Sequence, residues 1–272
     1  MYQQLSVLDI QKNKTLLAVW KFVSSVHAGQ TRKGINQTGI LPKYTAHLFR
    51  VMEITANALG DPVMVLKNKE LLSLLSAALL HDTIEDTVVN ASEKLERALM
   101  PLVGFDCSKK IAALVQELSN PAEGFFGKTK EEKDKNKKEW QIQHALKMST
   151  PAKLIKMADQ IANIIDSADL DMAGVKSNPN AWSEEKKIFY VGKALAVCNA
   201  CSDGIEKSTL LQKNMFLKLN NFASFAAEYA LFKIKNPQYA HLDFFEELKL
   251  KNRRCFKKQH LIVTDYKGIE RV

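Results

Sequence analysis

Apolar residues recur every three to four positions along most of this chain, which is the period of an amphipathic α-helix. Over residues 43–59, for example, Leu48, Val51 and Met52 have the spacing that places side chains on one helical face. The same period predicts nine helices, at about residues 5–28, 43–59, 69–82, 90–104, 108–119, 129–148, 151–167, 182–203 and 209–234. We therefore expect an all-α fold.

Helix-end signals sharpen several of these boundaries. Asn90 with Glu93 three residues later has the pattern of a capping box, and Thr150 followed by Pro151 has the pattern of a cap and a first helical residue. An Asn-Pro pair at residues 120–121 ends the preceding helix, since the residue before a proline avoids helical backbone angles.

The chain is long enough for one large domain or for one domain with an appendage. We expect a main domain over residues 1–205 and a C-terminal, mostly helical extension over residues 206–272, whose role the sequence leaves open. Within the extension, residues 261–264 (Leu-Ile-Val-Thr) are the only convincing strand-like stretch.

Composition excludes several classes of protein. No apolar run approaches the length needed to cross a bilayer, and the N-terminus lacks a signal-peptide pattern, so we expect a cytoplasmic protein without a membrane partner. Four scattered cysteines cannot form a disulfide scaffold. Cys198 and Cys201 form a single C-x-x-C pair in an apolar helix, which favours two packed thiols over a zinc site.

The formal net charge of +9 favours an anionic partner. A phosphate-rich small molecule, a nucleic acid and an acidic protein all satisfy this condition. The mixed-sign run over residues 128–138 is typical of a solvated helix start and does not decide between them.

The first candidate for chemistry is a cluster of acids and a histidine at the end of an apolar helix. Residues 71–80 are almost wholly apolar, and His81, Asp82, Glu85 and Asp86 follow within six positions. On a helix, His81 and Glu85 lie one turn apart. An imidazole beside carboxylates is a ligand combination suited to manganese, iron or zinc.

A second polar stripe occurs in the helix predicted at residues 151–167. Its members lie three or four positions apart and therefore share a face: Lys156, Asp159, Asn163 and Asp166. Such a stripe on an otherwise apolar helix is costly unless the groups are paired or bind a ligand. It is a second source of carboxylates for a metal site.

Four segments together carry a resemblance to a known family. Residues 27–33 resemble its H-A-G-Q-x-R opening, and residues 44–47 resemble Y-I-x-H, with Leu48 in place of the usual proline. Residues 81–87 match H-D-x-x-E-D-T in full, and residues 156–163 match K-x-A-D-x-x-x-N. In these motifs the chain resembles RelA/SpoT-type HD-domain hydrolases and the stand-alone small alarmone hydrolases, over about residues 10–205.

The resemblance implies a helical HD-domain bundle with one divalent metal ion, usually Mn²⁺, with Fe²⁺ as the alternative. The implied ligands are His47, His81, Asp82 and Asp159. Glu85 and Asp86 would handle the attacking water. Two carboxylates beside a metal ion can orient and deprotonate a water molecule, so the residue chemistry agrees with this assignment.

The resemblance also implies a small-molecule nucleotide substrate, a guanosine 3′,5′-bis-polyphosphate such as (p)ppGpp, cleaved to GDP or GTP and pyrophosphate. Arg32 and Lys33 would embrace the nucleotide, and Asn163 would contact the sugar. Lys186 and Tyr190 would lie near the phosphate arm, after a weaker match at residues 182–184. We expect no stable nucleic-acid complex, and homo-oligomers remain open.

Residues 34–42 form a longer connection than the family's usual short turn, where the base would be held. An adenine alarmone, (p)ppApp, therefore remains an alternative. A second alternative is another HD phosphohydrolase acting on nucleotides. A third, from a different class, is a regulatory or antitoxin module that neutralises an alarmone synthetase by contact.

Overall fold

The computed structural model describes residues 12–31, 43–60, 68–169, 182–205 and 209–236. The helices in these ranges are Lys14–Val26 (α1), Tyr44–Leu59 (α2), Lys69–Leu80 (α3), Thr83–Asp86 (α4), Ser92–Val103 (α5), Phe105–Leu118 (α6), Lys130–Lys147 (α7), Thr150–Asp169 (α8), Glu184–Ser202 (α9) and Leu210–Lys235 (α10). The only β-pairing in the described ranges is an isolated bridge between Thr31 and Lys43. The predicted all-α fold is confirmed, and the strand-like residues 261–264 lie outside the described part.

Helix α8 lies at the centre of the fold. It packs against α10, α9 and α2, and more lightly against α6 and α3. Its apolar side chains are buried around the whole circumference, as expected for a helix enclosed by neighbours; they include Ile155, Ile161, Ile164 and Ile165. Asp159, on this helix, is therefore held inside the molecule.

Helix α3 explains how the first acidic cluster is held in place. From Leu74 to Leu80 its residues are buried, so the helix is anchored in the core between α2 and α6. It ends at Leu80, and His81 and Asp82 form a turn before the four-residue α4. The helix expected over residues 69–82 thus ends two residues earlier, and Glu85 and Asp86 lie on a separate short helix.

Two predicted helix caps are wrong by one residue. Ala91, not Asn90, is the N-cap of α5, and the Asn90 side chain instead accepts a hydrogen bond from Lys94 Nζ at 2.7 Å. At α8 the backbone N–H of Lys153 bonds to the carbonyl of Ser149 at 2.9 Å, so α8 begins after Ser149. A cap depends on the backbone angles of a single residue, which composition does not define.

Helix α10 packs against α8, α9 and α2. Phe216, Leu219, Ala226 and Ala230 are buried in these contacts. This part of the predicted extension therefore shares one hydrophobic core with the helices that precede residue 205.

Cys198 and Cys201 are buried free thiols on α9, in agreement with the packed-thiol interpretation. Burial raises the pKa of the Cys201 thiol to about 12, so it stays protonated at neutral pH. Within the described ranges, none of the helices combines the length and hydropathy that crossing a bilayer requires.

Candidate active site

Three buried side chains from distant parts of the chain meet in the interior. His47 comes from α2, His81 from the turn after α3 and Asp159 from the middle of α8, and one ligand atom of each lies within 4.8 Å of the others. Asp159 Oδ1 is 3.4 Å from His47 Nε2 and 3.7 Å from His81 Nε2. One carboxylate oxygen thus faces both imidazole nitrogens.

The hydrogen bonding of His81 suits metal binding. Its Nδ1 lies 2.9 Å from the carbonyl oxygen of Ala78, which can only accept, so Nδ1 carries a hydrogen. Its Nε2 is buried without a well-aligned hydrogen bond, although Asp82 Oδ2 is 3.1 Å away. Two imidazoles with carboxylates form a donor set for a divalent transition metal. His47, His81 and Asp159 could therefore hold such an ion.

The acids around His81 make metal binding and protonation compete. Burial alone would lower the pKa of His81, but Asp82 and Asp159 outweigh it and raise the pKa to about 9. A metal ion that binds Nε2 must therefore displace a proton.

Asp82 is linked to Asp86 through Tyr44. The Tyr44 hydroxyl lies 2.6 Å from Asp82 Oδ2 and 2.7 Å from Asp86 Oδ2. Burial and the two carboxylates raise the pKa of Tyr44, so its phenol keeps its hydrogen. The tyrosine ring stacks on His27 with centroids 5.2 Å apart. Tyr44 thus connects a predicted metal ligand with a predicted catalytic acid.

A further carboxylate orients His47. Asp166 Oδ2 lies 3.2 Å from His47 Nδ1, and the other oxygen of Asp166 forms an ion pair with Arg50. A carboxylate on the outer nitrogen fixes the tautomer and ring orientation of a ligating histidine. His47 Nε2 is thereby directed at Asp159.

Asp159 is surrounded by donors. Asn163 Nδ2 donates to Oδ1 at 2.6 Å, Gln160 Nε2 donates to Oδ2 at 2.9 Å, and Lys156 Nζ lies 3.2 Å from Oδ2. Burial would raise the pKa of Asp159, but Lys156 and the two imidazoles hold it well below its usual range. Asp159 is therefore ionised, as a metal ligand must be.

Glu85 lies at the exposed rim of the group. The backbone N–H of Asn120 donates to Glu85 Oε1 at 2.8 Å, and the Asn120 side-chain amide donates to Oε2. Gln141 Nε2 in turn lies 3.3 Å from Asn120 Oδ1. Partial burial and the charge of Asp82 raise the pKa of Glu85 despite these donors. A carboxylate with a raised pKa is better suited to accept a proton near neutral pH.

The remaining predicted site residues lie partly outside the described ranges. Arg32 and Lys33 lie outside the described residues, as do residues 34–42. Lys186 Nζ is 4.7 Å from the centroid of the Trp182 ring, and the Tyr190 ring is 5.0 Å from it. The roles of these residues in substrate binding stay predictions.

Among the residues that hydrogen-bond to the acidic residues of the site, Tyr44, Gln30 and Asn120 had no role assigned from sequence. Tyr44 and Gln30 lie inside the matched motifs; Gln30 Nε2 donates to the Asp86 carbonyl at 2.7 Å and Gln30 Oε1 lies 2.7 Å from His27 Nδ1. Asn120 lies outside all four motifs, and the sequence shows only its helix-ending pattern. A motif match could have indicated the first two, whereas no local signal indicates the third.

No family model matches the chain. In sequence it is similar to curated proteins named guanosine-3′,5′-bis(diphosphate) 3′-pyrophosphohydrolase MESH1. The Drosophila melanogaster protein is 32% identical over 117 residues, which cover 43% of this chain and 52% of that protein. The Homo sapiens protein is 29% identical over 175 residues, covering 64% and 78%. The chain thus spans about half the length of the fly relative.

A solved structure, described as a metazoan ortholog of SpoT that hydrolyzes ppGpp and plays a role in starvation responses, covers 81% of this chain and 96% of its own. Its identity is 24% and its TM-score is 0.49. The sequence matches confirm the predicted resemblance to small HD-domain ppGpp hydrolases.

Proposed function

We propose that this protein is a metal-dependent 3′-pyrophosphohydrolase of nucleotide alarmones such as (p)ppGpp. The observation that carries the proposal is the buried group of His47, His81 and Asp159, with Glu85 at its rim, in a chain similar to proteins named for this activity. Water would attack the first phosphorus of the 3′-diphosphate, and the bond to the 3′-oxygen would break. The products would be GDP or GTP and pyrophosphate.

The residues that would hold the metal ion, Mn²⁺ first and Fe²⁺ as the alternative, are His47, His81, Asp82 and Asp159. When bound, a divalent ion polarises a phosphate oxygen and lowers the pKa of water. The surrounding residues prepare this site: Asp166 orients His47, and Tyr44 holds Asp82 beside His81.

Glu85 would take the proton from the attacking water, because its raised pKa brings it nearer to the operating pH than a free glutamate. Asp86 would help to orient that water. Its contacts with the Tyr44 hydroxyl and the Gln30 side chain support this role, since they restrict its position.

The substrate contacts remain those implied by the motifs. Arg32 and Lys33 would hold the nucleotide, since a guanidinium can stack on a base and pair with phosphate. Asn163 would contact the sugar, and Lys186 and Tyr190 the phosphate arm. The net charge of +9 favours such an anionic ligand.

We assign catalysis to the domain at residues 1–205 and leave the role of residues 206–272 open. We place the enzyme in the cytoplasm, where its substrate would be a free nucleotide. The adenine alarmone (p)ppApp, another HD nucleotide phosphohydrolase activity and an antitoxin role are the competing proposals.

The test is to incubate the purified protein and Mn²⁺ with guanosine and adenosine 3′,5′-bis-diphosphates and to identify the early products. The proposal predicts a nucleoside 5′-diphosphate and intact pyrophosphate, and no activity in His81→Ala. Early orthophosphate would favour a different HD phosphohydrolase. Neutralisation of an alarmone synthetase by an inactive Asp82→Ala protein would favour the antitoxin role.

A further inference from the structure

In the part of the chain that the structure describes, Asn120 holds the carboxylate of Glu85 from outside the helix of Glu85. Asn120 donates its backbone N–H to Oε1 at 2.8 Å and its side-chain amide to Oε2, and the two residues are 35 positions apart in sequence. A side chain on an exposed rim ordinarily samples several rotamers. Two donors on two oxygens restrict Glu85 to one of them.

The local structure explains why Asn120 can donate in this way. Helix α6 ends at Leu118, and the backbone of Ser119 is extended, with ψ of 145°. The chain therefore leaves the helical path before Asn120, and the Asn120 N–H points outside α6. Its side chain is held as well, because Gln141 on α7 donates to Asn120 Oδ1. The end of α6 thus fixes the backbone donor, and the contact with α7 fixes the side-chain donor.

The arrangement leaves Glu85 able to act. An ionised carboxylate has about four lone-pair positions, and Asn120 uses two of them. One lone pair remains on each oxygen for a water molecule. The short α4 cannot by itself fix the direction of these lone pairs, because its four residues form little more than one turn.

We infer that Asn120 is a positioning residue that aims the Glu85 carboxylate at the attacking water, an inference that rests on the proposed function. Within the described part of the chain its hydrogen bonds are with Glu85 and Gln141, so it would act through Glu85. Misplacing a catalytic group by about 1 Å can cost about 10²-fold in rate. Because the backbone N–H survives substitution, we expect Asn120→Ala to lower kcat about tenfold and to change KM much less.

The decisive experiment is a double-mutant cycle on kcat with the guanosine substrate and Mn²⁺, using wild type, Asn120→Ala, Glu85→Gln and the double variant. If Asn120 acts through Glu85, its substitution costs about tenfold in the wild type and nothing further in Glu85→Gln. Asn120→Asp keeps the shape and the acceptor for Gln141 but replaces the donor by a like charge, so it should lose at least as much as Asn120→Ala.

The matched control is Asn136→Ala, which removes a side-chain amide that donates to the carbonyl of Phe126 at 2.7 Å. It should leave kcat unchanged. A tenfold loss that Asn120→Ala repeats in the Glu85→Gln background would overturn the inference, and so would near-normal turnover of Asn120→Asp.

The same four proteins also give a cycle on denaturant unfolding, which needs no substrate. Non-additive shifts of the unfolding midpoint would show the Asn120–Glu85 contact even if no alarmone were hydrolysed, and in that case only the proposed function would fail. Additive shifts together with additive rates would reject the contact itself while leaving hydrolysis intact.

Discussion

Replacing Tyr44 by phenylalanine removes a single hydroxyl from the centre of the site. The ring can stay stacked on His27, whereas Asp82 and Asp86 lose the one O–H that they share, whose oxygen lies 2.6 and 2.7 Å from them. A hydrogen bond to a charged group contributes about 1.5–3 kcal/mol. We expect Tyr44→Phe to lower the free energy of unfolding by an amount in that range.

The same loss should weaken metal binding. In the wild type, Tyr44 holds the Asp82 carboxylate beside His81 Nε2, so binding an ion requires little rearrangement. Without the hydroxyl, Asp82 is free to turn toward water, and part of the binding energy restores its position. If the whole free energy of that hydrogen bond were lost from metal binding, the Mn²⁺ affinity would fall about 10- to 100-fold, because 1.4 kcal/mol corresponds to a factor of ten. This is the largest loss that we expect.

The assays are urea unfolding of the metal-free proteins and titration calorimetry with Mn²⁺. Circular dichroism at low denaturant checks that Tyr44→Phe keeps the helical content of the wild type. Wild-type stability together with wild-type Mn²⁺ affinity would refute the reasoning, because it would mean that the hydroxyl supports neither carboxylate.

Three further perturbations test other parts of the molecule. Asp166→Asn removes the charged partner of His47 and should weaken metal affinity about 10- to 100-fold, measured by calorimetry; an unchanged affinity would contradict the orienting role. Glu85→Ala should retain the metal by elemental analysis but lower kcat about 10²–10⁴-fold, and turnover near that of wild type would remove it from the mechanism. Burial and the neighbouring Lys137 lower the pKa of Lys193 to about 8, so its cationic form is disfavoured in the folded protein. That destabilisation is complete below pH 8 and fades as the pH rises toward the pKa of a free lysine. Lys193→Gln should therefore raise the thermal midpoint at pH 7 and raise it less at pH 9.5. A lower midpoint at pH 7 would contradict this account of burial and like charge.

The sequence by itself determined the helices. Amphipathic period and Gly or Asn-Pro stops are local signals, and they located the ends of α2, α7 and α9 within two residues of the structure. The buried α3 followed from its apolar run, and the candidate chemistry at residues 81–86 followed from spacing alone. These features are readable because each depends on residues within one or two turns of one another.

The sequence did not predict the backbone geometry of single residues at helix ends. Asn90 has the composition of a cap but lies one position before the residue with cap angles, and its side chain bonds to Lys94 instead. The end of α3 at Leu80 likewise depends on the turn that redirects the chain into α4. Such boundaries depend on the backbone angles of one residue, which composition does not define.

Only the tertiary structure decided which side chains complete the site. The hydrogen bond between Tyr44 and Asp82 spans 38 residues, and the contact between His47 and Asp166 spans 119. The hydrogen bonds from Asn120 to Glu85 form because α6 ends beside α4. No periodicity or spacing encodes such contacts, because they arise when separate helices bury their apolar faces against one another and bring distant polar groups within hydrogen-bonding distance.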